Sequence, residues 1–250
     1  MADFLRQVWK IVVTVADPRN LSDPEKFQAA FQQPGVFWAV FAAVVAVVFT
    51  ETGLLVGFLL PGDSMLVVLG FVAHLAGWDH GNVLLLVGAL CVAAVVGDSV
   101  GYGIGAKAGP AIFSRPDSRF FKQKYLTAAR AYYDKHGGKT IILARFIPIV
   151  RTFVPVVAGA AKMEYRKFLA YNVVGGVAWI VTMFAAGYFL VVLLEPPLQA
   201  VFGPQFRIAK NIDKVVAVVV LASVAPMVFK AAQAYRAKRR PPAPPPLAAV

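Results

Sequence analysis

Two pairs of charged residues stand inside stretches that are otherwise apolar enough to enter a lipid bilayer. Glu51 and Asp63 belong to FTETGLLVGFLLPGDSMLVVLG, and Arg145 and Arg151 belong to LARFIPIVRTFVPVVAGAAK. An ionisable group near the bilayer centre costs about 2.5 to 3.5 kcal/mol on insertion scales, so each charge needs a partner or a function. Guanidinium groups bind phosphate through paired N–H donors, and carboxylates can take up protons. We therefore expect Arg145 and Arg151 to bind an anionic head group, and Glu51 and Asp63 to carry protons.

The two stretches share one layout. Glu51 lies ten residues before Pro61, and Arg145 lies ten residues before Pro155, with an apolar leg before each proline and an apolar return after it. We interpret both stretches as re-entrant hairpins. Irregular backbone at membrane depth is tolerated where it lines a cavity or is buried in protein, which favours a position inside the fold for both hairpins.

A purely structural role is the alternative for these four charges. The two acids would then neutralise the two arginines and lock the hairpins together. A second structural possibility is that Asp63 merely caps a helix that begins near Ser64.

Other polar residues in apolar surroundings are weaker candidates for a functional role. Asp98, in GDSVGYGIG, is expected to cap a helix, hydrate it or pair with Lys107, and Asn172 and Trp179 are expected to be packing or interface residues. The candidates for a supporting role at the site are Asp98, Pro61, Pro155 and Asn172.

The composition is that of an integral membrane protein. Of the 250 residues, 59% are hydrophobic, and the mean hydropathy is +0.67, which is above the usual range of a soluble domain. The net charge of +12 comes from bases that collect beside apolar runs, so anionic lipid is a better partner than nucleic acid. Three histidines and the single Cys91 show no metal-ligand spacing, and we expect no metal, no cofactor and no intramolecular disulfide.

The chain divides into three regions. Residues 1–35 are expected to form amphipathic helices in the membrane interface, because apolar residues fall on one helical face near the start: Phe4, Val8, Ile11, Val12 and Val15. The short apolar run interrupted by Lys10 does not fit a cleaved signal peptide. Residues 36–232 form the predicted membrane domain, and residues 233–250 form a basic, proline-rich tail that we expect to be disordered. The fold class is therefore an all-α polytopic membrane protein with two re-entrant hairpins and about four transmembrane helices. Those four spans are expected over residues 37 to about 50, 83–105, 168–194 and 212–232.

The distribution of bases predicts the topology. Residues 106–139 contain eight Lys or Arg, so this loop and the tail are expected in the cytoplasm, with both chain termini. Residues 77–82 and 195–211 would then face outward. The hairpins consequently open to opposite sides, each followed by a transmembrane helix, which is the inverted-repeat plan of many transporters.

Four motifs in this order resemble the DedA family of bacterial inner-membrane proteins. They are FTETGLLVGFLLPGDSMLVVLG, GDSVGYGIGAKAG, RFIPIVRTFVPVVAGAAKM and FLAYNVVGGVAW, and the resemblance covers about residues 37–190. It implies that the acids matching Glu51 and Asp63 and the arginines matching Arg145 and Arg151 are the functional residues. It also implies opposed hairpins and the return of undecaprenyl phosphate or phospholipid across the membrane, driven by the proton motive force. Ala106 and Lys107 depart from the arginine that many members carry after the preceding glycine.

These observations together predict a proton-linked transporter, or flippase, of a phosphate-bearing lipid in the bacterial inner membrane. Its partners would be the anionic lipid, protons and membrane lipids, and it could form a homo-oligomer. One alternative is a structural or assembly protein that supports the envelope without transport. An enzyme acting on lipid phosphate is a weaker alternative, because no catalytic grouping of serine, histidine or metal ligands lies at membrane depth. We expect no enzymatic activity.

Overall fold

The structure is a computed structural model, and the part of the chain that it describes is helical. It comprises residues 24–33, 35–54, 62–114, 138–206 and 208, and within these residues there is no strand. The described helices are α1 (Pro24–Phe31), α2 (Val36–Gly53), α3 (Gly62–Leu75), α4 (His80–Ser114), α5 (Lys139–Ala144), α6 (Pro148–Ala160) and α7 (Tyr165–Phe202).

Three of these helices are long and apolar enough to cross a membrane. They are α2, the first 29 residues of α4 and the 38-residue α7. At about 1.5 Å per residue, the 18 residues of α2 span about 27 Å, close to the roughly 30 Å of a bilayer's hydrocarbon core. The prediction of an all-α polytopic membrane protein is confirmed for the described residues.

Two helices are too short to cross a membrane alone. The 14 residues of α3 and the 13 residues of α6 each span about 20 Å. Residues 145–147 interrupt the helix between α5 and α6. Ile147 has an extended backbone, and Pro148 is the first residue of α6. Proline suits this first position because its missing N–H would have no partner inside the helix.

The breaks differ from the predicted hairpin turns. Pro155 lies inside α6, so the second stretch does not turn there, and the turn comes before Pro148 instead. Glu51 lies in the last turn of the continuous helix α2 and not in a separate hairpin leg. Pro61 lies outside the described residues.

Each half-length helix packs on the long helix that follows the other charged stretch. Helix α3 packs mainly on α7, and α6 packs mainly on α4. Glycines allow both contacts: a Cβ on Gly70 or Gly187 would overlap backbone of the facing helix in the first interface, and one on Gly105 or Gly159 would do so in the second. Both interfaces therefore depend on close backbone approach, which small residues permit in membrane helix packing.

Helix α2 packs against α4 in a similar way. A Cβ on Gly53 would lie 3.2 Å from the carbonyl oxygen of Gly97, and a Cβ on Gly97 would overlap the Thr52 hydroxyl. Thr52 donates its hydroxyl to the carbonyl of Val48 at 2.9 Å, so it needs no partner from α4. This contact holds the end of α2, which carries Glu51, against the middle of α4.

The outer face of α4 is apolar and exposed. Val92, Val96, Val100 and Ile104 recur every four residues along it, and Val92 is 62% exposed. Residues four apart lie on one side of a helix. This face is therefore available to lipid tails, while the opposite side packs on α2, α6 and α7.

Two long helices extend past their predicted ends. Helix α4 continues to Ser114 into the predicted cytoplasmic loop, and α7 continues to Phe202 through Pro196 and Pro197, so the predicted outer loop does not begin at residue 195. Gly203 follows the last residue of α7 as its C-cap, and its φ of 96° is a conformation that glycine adopts readily. The predicted span 212–232, the segment 1–23 and the tail lie outside the described residues.

Candidate functional site

Four buried or half-buried side chains from four helices meet in one group, which we call the Arg151 cluster: Glu51, Asp63, Arg151 and Trp179. Arg151 donates from Nη2 to Glu51 Oε1 at 2.5 Å and from Nη1 to Asp63 Oδ1 at 2.6 Å. Trp179 donates from Nε1 to the same Asp63 oxygen at 2.7 Å. One cation is therefore shared by two acids, and one of those acids has a second donor.

The helix breaks position these groups. Glu51 comes from the last turn of α2, Asp63 from the first turn of α3, and Arg151 from the first turn of α6. The N-terminal turns of both half-length helices thus meet at the cluster. Because a helix N-terminus carries partial positive charge, this arrangement favours negatively charged groups between the two turns.

Trp179 holds the arginine from the side of α7. The guanidinium carbon of Arg151 lies 4.1 Å from the centroid of the Trp179 ring, within cation–π range. The indole is fully buried and uses its only donor on Asp63. Trp179 therefore orients both the cation and one acid.

The members of the cluster differ in exposure. The side chains of Arg151 and Glu51 are 2% and 1% exposed, whereas that of Asp63 is 31% exposed. A Cβ on Gly62 would overlap Glu51 Oε2, so glycine at this position leaves room for the buried carboxylate. Glu51 Oε2 and Arg151 Nε have no side-chain hydrogen-bond partner among the described residues. Asp63 is thus the more accessible of the two acids.

A second group, the Arg145 cluster, consists of Asp98, Arg145 and Asn172. Arg145 donates from Nη2 to a carboxylate oxygen of Asp98 and to the side-chain oxygen of Asn172. Asn172 donates in turn to the carbonyl of Val95 at 3.0 Å. The three side chains are almost fully buried, and the group joins α4, the end of α5 and α7.

The predicted site residues therefore divide between two clusters. The structure joins both Glu51 and Asp63 to Arg151, so the structural alternative, in which these acids neutralise both arginines, does not hold for Arg145. Asp98 pairs with Arg145 and not with Lys107, which is exposed.

Asn172 and Trp179 do more than pack, because both hydrogen-bond to charged side chains. The sequence held a signal for each: a buried indole or amide in an apolar helix needs a hydrogen-bond partner. Sequence reasoning named Asn172 only as a supporting candidate and did not assign Trp179 to the site.

Similar sequences come from bacterial membrane proteins. Residues 60–189 match the VTT domain. Protein DedA of Escherichia coli K12 is 42% identical over 201 residues, which are 80% of this chain and 86% of that protein. An uncharacterized membrane protein of Mycobacterium tuberculosis is 44% identical over 83% of this chain and 86% of its own, and one of Mycobacterium leprae is 38% identical over 90% of both. No solved structure matches the chain.

Proposed function

The chain belongs to the DedA family of membrane proteins with a VTT domain, and on this basis we propose that it translocates a phosphate-bearing lipid across the bacterial inner membrane. The substrate class comprises undecaprenyl phosphate and anionic phospholipids, whose common feature is a phosphate group. Transport is linked to protons through Glu51 and Asp63. The observation that carries the proposal is the position of buried Arg151 between these two acids.

Charge counting connects phosphate and protons. With both acids ionised, the Arg151 cluster has a formal charge of −1, because one guanidinium faces two carboxylates. One proton makes the cluster neutral, and two protons make it positive. A lipid phosphate is therefore repelled by the ionised cluster and attracted by the doubly protonated one.

Lipid phosphate competes with the two carboxylates for the Arg151 guanidinium, and this competition couples lipid binding to proton uptake. The guanidinium can donate two parallel N–H groups to a phosphate, as it donates two N–H groups to the carboxylates in the structure. When phosphate takes these donors, the acids lose the neighbour that stabilises their charge and accept protons. Lipid and proton then move in the same direction, with Asp63, the more exposed acid, exchanging protons first.

The helix breaks support alternating access. In the inverted-repeat plan, interrupted helices meet near the middle of the membrane and their N-termini face an anionic substrate. The exchanged packing of α3 on α7 and of α6 on α4, with a pair of close-contact glycines in each interface, fits two repeats of opposite orientation. Rocking of one repeat against the other would expose the Arg151 cluster to each side in turn.

For Arg145, phosphate binding stays a prediction from the sequence, since its contacts are with Asp98 and Asn172. The topology is part of the proposal. The basic residues of 106–139 and of the tail favour a cytoplasmic position for both, and for both chain termini.

Reconstitution tests the proposed function. The purified protein is placed in liposomes that contain labelled undecaprenyl phosphate or labelled phosphatidylglycerol, and head-group translocation is measured with an imposed pH gradient. We expect translocation of at least one of these lipids by the parent protein. Arg151→Ala should abolish it when rates are compared at equal amounts of reconstituted protein. A parent protein that translocates neither lipid, or an Arg151→Ala variant as active as the parent, would contradict the proposal.

A further inference from the structure

The Arg145 cluster differs from the Arg151 cluster in charge. Arg145 and Asp98 carry one positive and one negative charge, and Asn172 is neutral, so this group is balanced without a proton. The Arg151 cluster has one acid in excess. With Asp98 ionised, entry of a phosphate between Arg145 and Asp98 would leave a buried net negative charge, and this group has one acid to protonate where the Arg151 cluster has two.

Packing confines Arg145 on the side of α7, while Arg145 Nη1 and Asp98 Oδ1 have no hydrogen-bond partner among the described residues. The side chain lies along two adjacent glycines of α7: a Cβ on Gly175 would be 3.3 Å from Arg145 Cγ, and a Cβ on Gly176 would be 3.6 Å from its Cζ. A Cβ on Gly175 would also lie 3.1 Å from the Cα of Ile142. The guanidinium is thus enclosed by α7 backbone on one side and by Asp98 of α4 on another.

The position of Arg145 in the chain connects it to the transport site. Arg145 is the C-cap residue of α5, and α6 begins three residues later at Pro148. Arg151 follows in the first turn of α6. A fixed Arg145 side chain therefore fixes the start of α6 and, with it, the place from which Arg151 reaches Glu51 and Asp63.

We infer that the two arginines have different functions: Arg151 binds the lipid phosphate, and Arg145 anchors the helix break to α4 and α7 without binding lipid. Asp98 and Asn172 are then positioning residues for Arg151. This inference rests on the proposed function for the role of Arg151. It departs from the expectation that both arginines bind phosphate.

An anchor and a ligand respond differently to loss of charge. Removing one member of a buried ion pair leaves an uncompensated charge, but replacing both members by neutral groups is often tolerated. An anchor needs a balanced and hydrogen-bonded group, which asparagine and glutamine can also form. A phosphate ligand needs the positive charge itself.

The experiment compares neutral replacements in the two clusters. The variants Asp98→Asn, Arg145→Gln and the double variant Asp98→Asn/Arg145→Gln are measured for membrane accumulation, thermal unfolding in detergent, lipid transport and apparent KM. The matched control is the triple variant Glu51→Gln/Asp63→Asn/Arg151→Gln, in which every charge of the Arg151 cluster is replaced in the same way.

We expect each single variant to lose accumulation and transport by about tenfold or more. The double variant should recover both to within about threefold of the parent, with unchanged KM and pH profile, because the pair becomes neutral as a whole. The triple variant should accumulate without transport. A double variant that fails to accumulate, has lost transport or has a raised KM overturns the inference.

The two proposals fail in different ways. If the parent protein transports no tested lipid, the proposed function fails. The accumulation and unfolding measurements still decide the anchor, because recovery in the double variant does not depend on transport. If the parent transports lipid and the double variant does not recover, the anchor fails and the proposed function stands.

Discussion

Arg151 Nη1 donates to Asp63 Oδ1 at 2.6 Å across 88 residues of sequence. The contact joins the first turn of α6 to the first turn of α3, so the two half-length helices meet at their N-termini. An arginine in a first turn is disfavoured by the helix dipole, and the two acids compensate for it. The same compensation would come from a phosphate, which is why the contact is central to the proposed mechanism.

The geometry of the guanidinium should matter as well as its charge. Arg151→Lys keeps the charge but lacks the planar fork that donates two parallel N–H groups to a phosphate. We expect transport to fall about tenfold to hundredfold, since a hydrogen bond to a charged group contributes about 1.5 to 3 kcal/mol. Initial rates of head-group translocation measure this. Parental rates in the lysine variant would indicate that charge alone suffices.

Trp179 offers a test of the indole donor. Trp179→Phe keeps an aromatic ring beneath Arg151 but removes the hydrogen bond to Asp63. Loss of a donor to a charged group should cost about 1.5 to 3 kcal/mol and reduce transport about tenfold or more. Trp38→Phe is the control, because Trp38 is 57% exposed on α2. Equal rates in the two variants would show that the indole donor has no role.

Gly62 gives a steric test of the buried acid. In Gly62→Ala the new Cβ would overlap Glu51 Oε2, so the carboxylate must leave its present position beside Arg151. We expect reduced transport with little loss of accumulation. The control is Gly88→Ala, where a Cβ would have nothing within 4 Å. Parental transport by Gly62→Ala would mean that the position of Glu51 is not critical.

Cysteine labelling tests the topology. After Cys91 is replaced by serine, single cysteines are introduced as Arg130→Cys in the basic segment 106–139 and His80→Cys at the start of α4. A membrane-impermeant maleimide applied from outside should label position 80 and leave position 130 unlabelled. Labelling at position 130 from outside would reverse the proposed orientation.

The sequence was sufficient for the fold class because composition and hydropathy act over long segments. It also located the charges of the site, since Glu51, Asp63 and Arg151 stand out in apolar surroundings. It did not reveal which acid meets which arginine. That pairing depends on the helix interruption at residues 145–147 and on the packing of α3 on α7 and of α6 on α4.

Two differences between sequence prediction and structure have a common physical origin. The sequence pattern predicts that the second stretch turns at Pro155, yet Pro155 lies inside α6 and Pro148 begins that helix. For Asp98 the sequence leaves open a helix cap, a hydrated group or a pair with Lys107, whereas its partner in the structure is Arg145. Local rules on helix ends and neighbouring charges do not contain the contacts made by distant helices, which decide both cases.

The central claim is that protons on Glu51 and Asp63 allow lipid phosphate to reach Arg151, and one measurement addresses it directly. Head-group translocation is followed in proteoliposomes with and without an imposed pH gradient, for the parent protein, Glu51→Gln and Asp63→Asn. The amides keep the side-chain shape but cannot titrate. We predict that the gradient accelerates the parent and has no effect on either variant, while slow exchange down a lipid gradient persists. Acceleration of both amide variants to the same degree as the parent would contradict the account.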